Sequence, residues 1–169
     1  NIALHSLHRE EWNDMAEEVK AAMTEETAEA KNFIHNFIEE DIAKGGQIGA
    51  VRFTAAPVRH PVPSYAVRFE HEGRVLCYSG DTNTCDTLKL FVKQADLFLC
   101  DACFTDALWQ ENLPHLSASK AAEAARAAGV KRLMLTHFRP DISKETLLSE
   151  AEKVFANVCL AQVGLKAEI

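Results

Sequence analysis

An α/β fold is the class that the sequence predicts, and three observations carry it. Short apolar runs alternate with helix-patterned segments from about residue 65 to the carboxyl terminus. Most connections between them are short, the exception being residues 102–114. Helix punctuation stands where it should, with Ser117 ahead of an Ala-rich run and Gly129 just after it. Strands that alternate with helices in this way imply a sheet with parallel members.

Before that region the character differs. Ser6 caps an expected helix over residues 7–23, with Trp12, Met15, Ala16, Val19 and Met23 at helical spacing. A second is expected over 25–43, where Phe33, Ile34, Phe37, Ile38 and Ile42 share one face and the other is acidic. Residues 2–4 read as a short strand. Beyond Gly45-Gly46 a strand is expected over 48–55, then the Pro-punctuated loop of residues 57–63. Residues 65–71 and 74–78 flank Glu72-Gly73 as a hairpin. There follow a helix over 84–94, a strand over 97–100, a helix over 117–128, a strand over 132–135, a helix over 143–155 and a strand over 158–163. The expected organisation is therefore an acidic helical segment over 1–46 and a strand/helix core over 47–169.

Composition narrows the function classes. Hydrophobic residues make up 47% and charged residues 25% of the 169, an ordinary globular mixture. No apolar run approaches the ~20 residues that span a bilayer, so no membrane partner is expected. All seven net negative charges fall in residues 1–49, which hold 4 basic and 11 acidic side chains. No broad basic face exists to neutralise a nucleic-acid backbone. Five cysteines, an odd number, do not form a disulfide framework and point to a reducing, cytoplasmic setting.

The chemistry-bearing residues stand just past strand ends. Asp81 follows the strand 74–78, His137 follows Thr136, His60 sits in the Pro-rich loop, and His115 precedes the Ser117 cap. Carboxyl ends of parallel strands gather on one edge, where ligands bind. A carboxylate and imidazoles meeting there suit a metal site. Taken singly, each has a structural reading too, the histidines as hydrogen-bonded strand-end residues and Asp81 as a turn residue or cap. Cys100-x-x-Cys103 has the spacing of a redox or zinc pair, but it lies in an apolar strand and its exit rather than at a helix N-terminus, so buried structural cysteines are the stronger expectation. Arg139 reads equally as a phosphate contact or a solvated loop charge. Asp101 reads equally as a partner behind a metal ligand or as a cap.

The strings Tyr78-Ser79-Gly80-Asp81-Thr82, Ala95-Asp96-Leu97-Phe98-Leu99-Cys100-Asp101-Ala102, His115-Leu116-Ser117-Ala118 and Leu135-Thr136-His137-Phe138 occur in that order. Together they resemble the metallo-β-lactamase-fold hydrolases. Within these they are similar to the branch of tRNA 3′-processing ribonucleases and related phosphodiesterases, as is the histidine loop His60-Pro61-Val62-Pro63-Ser64-Tyr65. The resemblance spans about residues 48–169. It implies a four-layered αββα fold of which this chain holds the carboxyl-terminal portion, with a helical hairpin inserted near its start. It further implies that His60 and His137 each bind one of two divalent ions, zinc ahead of manganese, that Asp81 bridges them, and that His115 is the general acid or the phosphate-contacting histidine for a phosphodiester substrate.

One departure is large. The family's His-x-His-x-Asp-His motif is missing, since the histidines stand at 5, 8, 35, 60, 71, 115 and 137. The expectation is a fragment of a longer hydrolase, cleaving RNA or a cyclic nucleotide, that alone binds metal weakly and is inactive. It is expected to self-associate or to pair with its missing amino-terminal half. Two further readings remain open, a non-catalytic half-fold interaction module and a metal hydrolase of esters or lactones.

Overall fold

The computed structural model describes residues 44–169. The strand expected over 2–4 and the helices expected over 7–23 and 25–43 lie outside the described residues.

Seven strands form one sheet in simple chain order: β1 (Gly46–Ile48), β2 (Val51–Pro57), β3 (Tyr65–His71), β4 (Arg74–Tyr78), β5 (Leu97–Asp101), β6 (Arg132–Thr136) and β7 (Val158–Leu160). The pairs from β1 to β4 are antiparallel and those from β4 to β7 parallel. Each parallel step needs a crossover, and helices α1 (Asp86–Phe91), α2 (Ala118–Ala128) and α3 (Lys144–Glu152) provide them.

Local chemistry accounts for these elements. In the β3–β4 hairpin both turn residues have positive φ, Glu72 at 47° and Gly73 at 76°. That is the two-residue turn whose twist suits antiparallel strands. Ser117 caps α2 by accepting from the Lys120 amide at 3.2 Å, and Gly129 closes it at φ 65°. Ser143 caps α3 in the same manner through the Thr146 amide.

Three expectations need adjustment. The strand expected over 48–55 is two strands, because Gly49 at φ 58° turns the chain and sets Ile48 opposite Val51. The helix expected over 84–94 shortens to Asp86–Phe91, since its cap residue, Cys85, makes no side-chain capping bond. Gln94 at φ 56° then ends the turn that follows. The last strand ends at Leu160 rather than at 163.

α1 packs on α2 and α2 on α3, and all three cover one face of the sheet. Cys77, Phe98, Leu133 and Val158 lie side by side across β4–β7 in the core beneath them, as do Cys100, Leu135 and Leu160 one row on. Seven alanines make α2 slim enough to lie close to the sheet, and Ala118, Ala121, Ala122 and Ala125 are fully buried. The opposite face is apolar as well, with Leu97 and Met134 buried and Leu76 and Leu99 partly so. This is the two-sided pattern of parallel strands.

Topology decides where the loops go. β2 is antiparallel to β3 and β3 to β4, so β2 runs in the same direction as β4, β5 and β6. The carboxyl ends of all four strands meet on one edge. No helix among the described residues is long and apolar enough to cross a membrane.

Candidate metal centre

Four segments deliver side chains to that edge. The loop after β2 carries His60, the turn after β4 carries Asp81, the exit of β5 carries Cys103 and the loop bearing His115, and β6 ends at His137. The Asp81 turn requires glycine. Gly80 has φ 63°, and a Cβ there would lie 2.5 Å from the Tyr65 carbonyl oxygen. Ser79 fixes the turn by donating to the Gly80 carbonyl at 2.6 Å and accepting from the Asp101 amide at 2.9 Å. His137 itself has φ 62°, a conformation that costs a non-glycine residue free energy and clusters at functional sites.

The His115 loop is held by Asn83, which is fully buried. Its Nδ2 donates to the carbonyls of Leu113 (2.6 Å), Glu111 (3.2 Å) and Gln110 (3.4 Å). Its Oδ1 accepts from the Thr84 amide at 2.6 Å and from Trp109 Nε1 at 3.2 Å. Its own amide donates to the Arg59 carbonyl at 2.9 Å, next to His60. Trp109 Nε1 also lies 3.1 Å from the His115 carbonyl. The Asn83 side chain thus joins the Asp81 turn to the His115 loop, and its backbone amide ties that turn to the His60 loop.

The expected residues converge, though not as one tight set. Ligand atoms of His60, Asp81 and His115 lie within 4.8 Å of one another, and so do those of Cys103, His115 and His137. His137 Nδ1 is 3.0 Å from Asp81 Oδ1. The His115 ring lies 5.3 Å from that of His60 and stacks 4.7 Å from that of His137. His115 Nδ1 is 2.6 Å from Asp101 Oδ2, which also accepts from the Thr82 amide at 3.1 Å. Asp101 therefore stands behind the His115 imidazole while also holding the Thr82 amide. Arg139 is paired with Asp141 through two bonds and lies over the Phe104 ring.

Charge follows from these contacts. The hydrogen bond to His137 holds the Asp81 carboxyl below its usual range, and the same bond raises the His137 imidazole. Burial pushes the Asp101 carboxyl up, against the opposing pull of His115. Its Oδ1 is buried without a hydrogen-bond partner among the described residues. Burial also pushes the Cys103 thiol up to about 12. Three imidazoles, two carboxylates and an unpaired carboxylate oxygen together fit a divalent cation, because they leave donor atoms and negative charge unmatched.

Sequence reasoning missed Cys103 and Asn83. Cys103 was read with Cys100 as a buried thiol, and at 5% exposure it is one, yet its sulfur reaches the histidines. Asn83 in a turn has no distinctive sequence signal, since its role comes from the loops folded over it.

Comparison with known proteins agrees with this geometry. The family model described as a β-lactamase superfamily domain matches residues 8–138. An uncharacterised protein of Mycobacterium leprae is 40% identical over 109 residues, covering 64% of this chain and 38% of that protein. A ribonuclease Z of Methanosarcina acetivorans is 38% identical over 101 residues, covering 57% of this chain and 33% of that protein. The crystal structure of the metallo-β-lactamase fold protein YhfI from Bacillus subtilis superposes with a TM-score of 0.70 at 26% identity, covering 74% of this chain and 51% of that one. The chain thus spans well under half the length of these two curated relatives. With a family match across most of its length and the fold of that structure, the chain belongs to the β-lactamase superfamily and has the metallo-β-lactamase fold.

Proposed function

We propose that this chain supplies the carboxyl-terminal side of the cleft in a metal-dependent phosphodiesterase. The observation that carries the proposal is the Asp101–His115 pair, set against His60, Asp81 and His137 on one sheet edge. His60 and His137 would each hold one divalent ion and Asp81 would bridge them. Such ions supply Lewis-acid polarisation of a phosphoryl group and a nucleophile at neutral pH, and zinc or manganese suits the nitrogen and oxygen donors.

The chain's own residues do the rest. Asp101 accepts the Nδ1 proton of His115 and fixes the ring, so Nε2 is the atom left to face substrate. A proton on Nε2 passes to the leaving alkoxide, a contribution of about 10²–10⁴-fold in rate. The ribonuclease Z name of a relative supports RNA as the phosphodiester. His60, Asp81 and His137 give two ions at most two protein ligands each, whereas zinc sites use three or four. Further ligands must therefore come from outside this set. We infer accordingly that residues 44–169 alone bind the paired ions weakly and hydrolyse little.

The test uses leaving groups of different basicity. His115→Ala should cost at least about 100-fold on an RNA or alkyl phosphodiester and far less on a p-nitrophenyl phosphodiester, whose leaving group needs no proton. Equal losses on both substrates, or faster turnover of a lactone than of either phosphodiester, would overturn the assignment.

A further inference from the structure

We propose that Cys103, His115 and His137 form a site for one thiophilic divalent cation, such as Zn²⁺ or Cd²⁺, whose binding withdraws His115 from substrate. This donor set differs from the His60–Asp81–His137 set assigned above, and it brings in a sulfur. The binding does not depend on the substrate reading. Its effect on turnover rests on that reading.

The geometry favours a cation. One donor atom from each residue lies within 4.8 Å of the other two. A tetrahedral zinc bound by one sulfur and two nitrogens sets its donors about 3.3–3.6 Å apart, so closure asks for shifts of about 1 Å. Both imidazoles are oriented from behind. Asp101 Oδ2 lies 2.6 Å from Nδ1 of His115 and Asp81 Oδ1 lies 3.0 Å from Nδ1 of His137. Carboxylates placed on Nδ1 in this way accompany metal-bound histidines and leave Nε2 as the donor. The two rings stack at 4.7 Å with 26° between their planes, so the imidazoles lie against each other. Cys103 is 5% exposed, so water competes poorly for its sulfur. The unpartnered Oδ1 of Asp101 adds negative charge that a cation would offset.

Binding is a simple exchange. The cation takes the Cys103 thiolate and the thiol proton passes to solvent, so one proton is released per ion and no electrons move. Thiolate donors select Zn²⁺ and Cd²⁺ over Mn²⁺ or Mg²⁺. Since His137 also serves the other donor set and His115 is the proton donor to the leaving group, occupancy by a thiophilic ion and turnover exclude each other.

The experiment adds Co²⁺ or Cd²⁺ to the reduced, chelator-stripped chain and follows the thiolate-to-metal charge-transfer absorption. The expected result is a band that saturates at one ion per chain and is lost in both Cys103→Ser and Cys103→Ala. It should survive in Cys100→Ser, whose buried thiol is not part of the cluster. His115→Ala and His137→Ala should each weaken binding by roughly 10–100-fold. No band, or a band that survives both Cys103 substitutions in folded protein, overturns the site. In the longer protein, Cd²⁺ should suppress phosphodiester turnover at least tenfold, and Cys103→Ser should abolish that suppression. A Cys103-dependent band with turnover unchanged by Cd²⁺ would uphold the site and refute the role given to His115.

Discussion

Asn83→Ala isolates the side-chain joint between the Asp81 turn and the His115 loop, since it leaves the backbone bond to Arg59 in place. The amide has two hydrogens for three carbonyls, so the 2.6 Å bond to Leu113 and the 3.2 Å bond to Glu111 are the main ones. The contact to Gln110 at 3.4 Å is shared. Gln110 and Glu111 are exposed, and their carbonyls would recover water on truncation. The Leu113 carbonyl and the Thr84 amide lie in partly buried surroundings and would lose partners, while Trp109 Nε1 keeps the His115 carbonyl. At about 1 kcal/mol for each of these two, the expected loss is about 2 kcal/mol. For a chain of this size that corresponds to a Tm lowered by about 4–8 °C. Urea unfolding by circular dichroism measures the loss, and limited proteolysis locates it, with new cleavage expected within residues 105–114. Asn83→Asp makes the comparison sharper, since it keeps the acceptor but turns a carboxylate oxygen toward three carbonyls. It should destabilise at least as much as alanine. A loss below about 1 kcal/mol with no new cleavage in that loop would refute the clasp.

Other substitutions probe separate parts of the edge. Gly80→Ala forces positive φ on a side chain and puts its Cβ against the Tyr65 carbonyl, so it should cost at least about 2 kcal/mol, measured by the same unfolding. Wild-type stability in that variant would show that the turn can relax. Asp101→Asn removes the carboxylate behind His115 while keeping its shape. Phosphodiester turnover should fall about 10–100-fold, and a pH–rate profile should show the alkaline limb, where a general acid loses its proton, displaced. An unchanged profile would mean that Asp101 does not act through His115. Asp96 gives an acid-linked test. Lys131 at 2.7 Å, the Val75 amide at 2.8 Å and Arg74 hold its carboxyl below the ordinary 3.8. A carboxyl lowered by folding contributes stability above its unfolded pKa and loses it as pH falls through the folded value. The stability gap between wild type and Asp96→Asn should therefore narrow on going from about pH 5 to about pH 2, and a gap constant with pH would contradict the pairing.

Much of the described fold was legible in the residue pattern because local physics set it. Ser117, Ser143 and Gly129 mark helix ends by bonds and backbone angles that involve only near neighbours. The hairpin at Glu72-Gly73 was legible for the same reason. Gly49 was the instructive failure. An apolar run from 48 to 55 satisfies a strand as one piece, and only a partner strand in register shows that Ile48 folds back onto Val51.

His60, Asp81, His115 and His137 were visible as chemistry-bearing residues past strand ends, and their order carried the family. Their mutual distances were not visible, because these depend on which strands are neighbours. β5 and β6 pair in parallel with Asp101 opposite Thr136, and this alone sets the His115 loop and Cys103 beside His137. Sequence by itself determined the α/β class, the caps and the set of polar strand ends, since each arises from contacts a few residues apart. Tertiary structure decided that Asp101 backs His115, that Asn83 binds three loops and that a buried cysteine joins two histidines. Those contacts join residues 12 to 34 positions apart in the chain, and only a completed sheet edge can bring such residues within bonding distance.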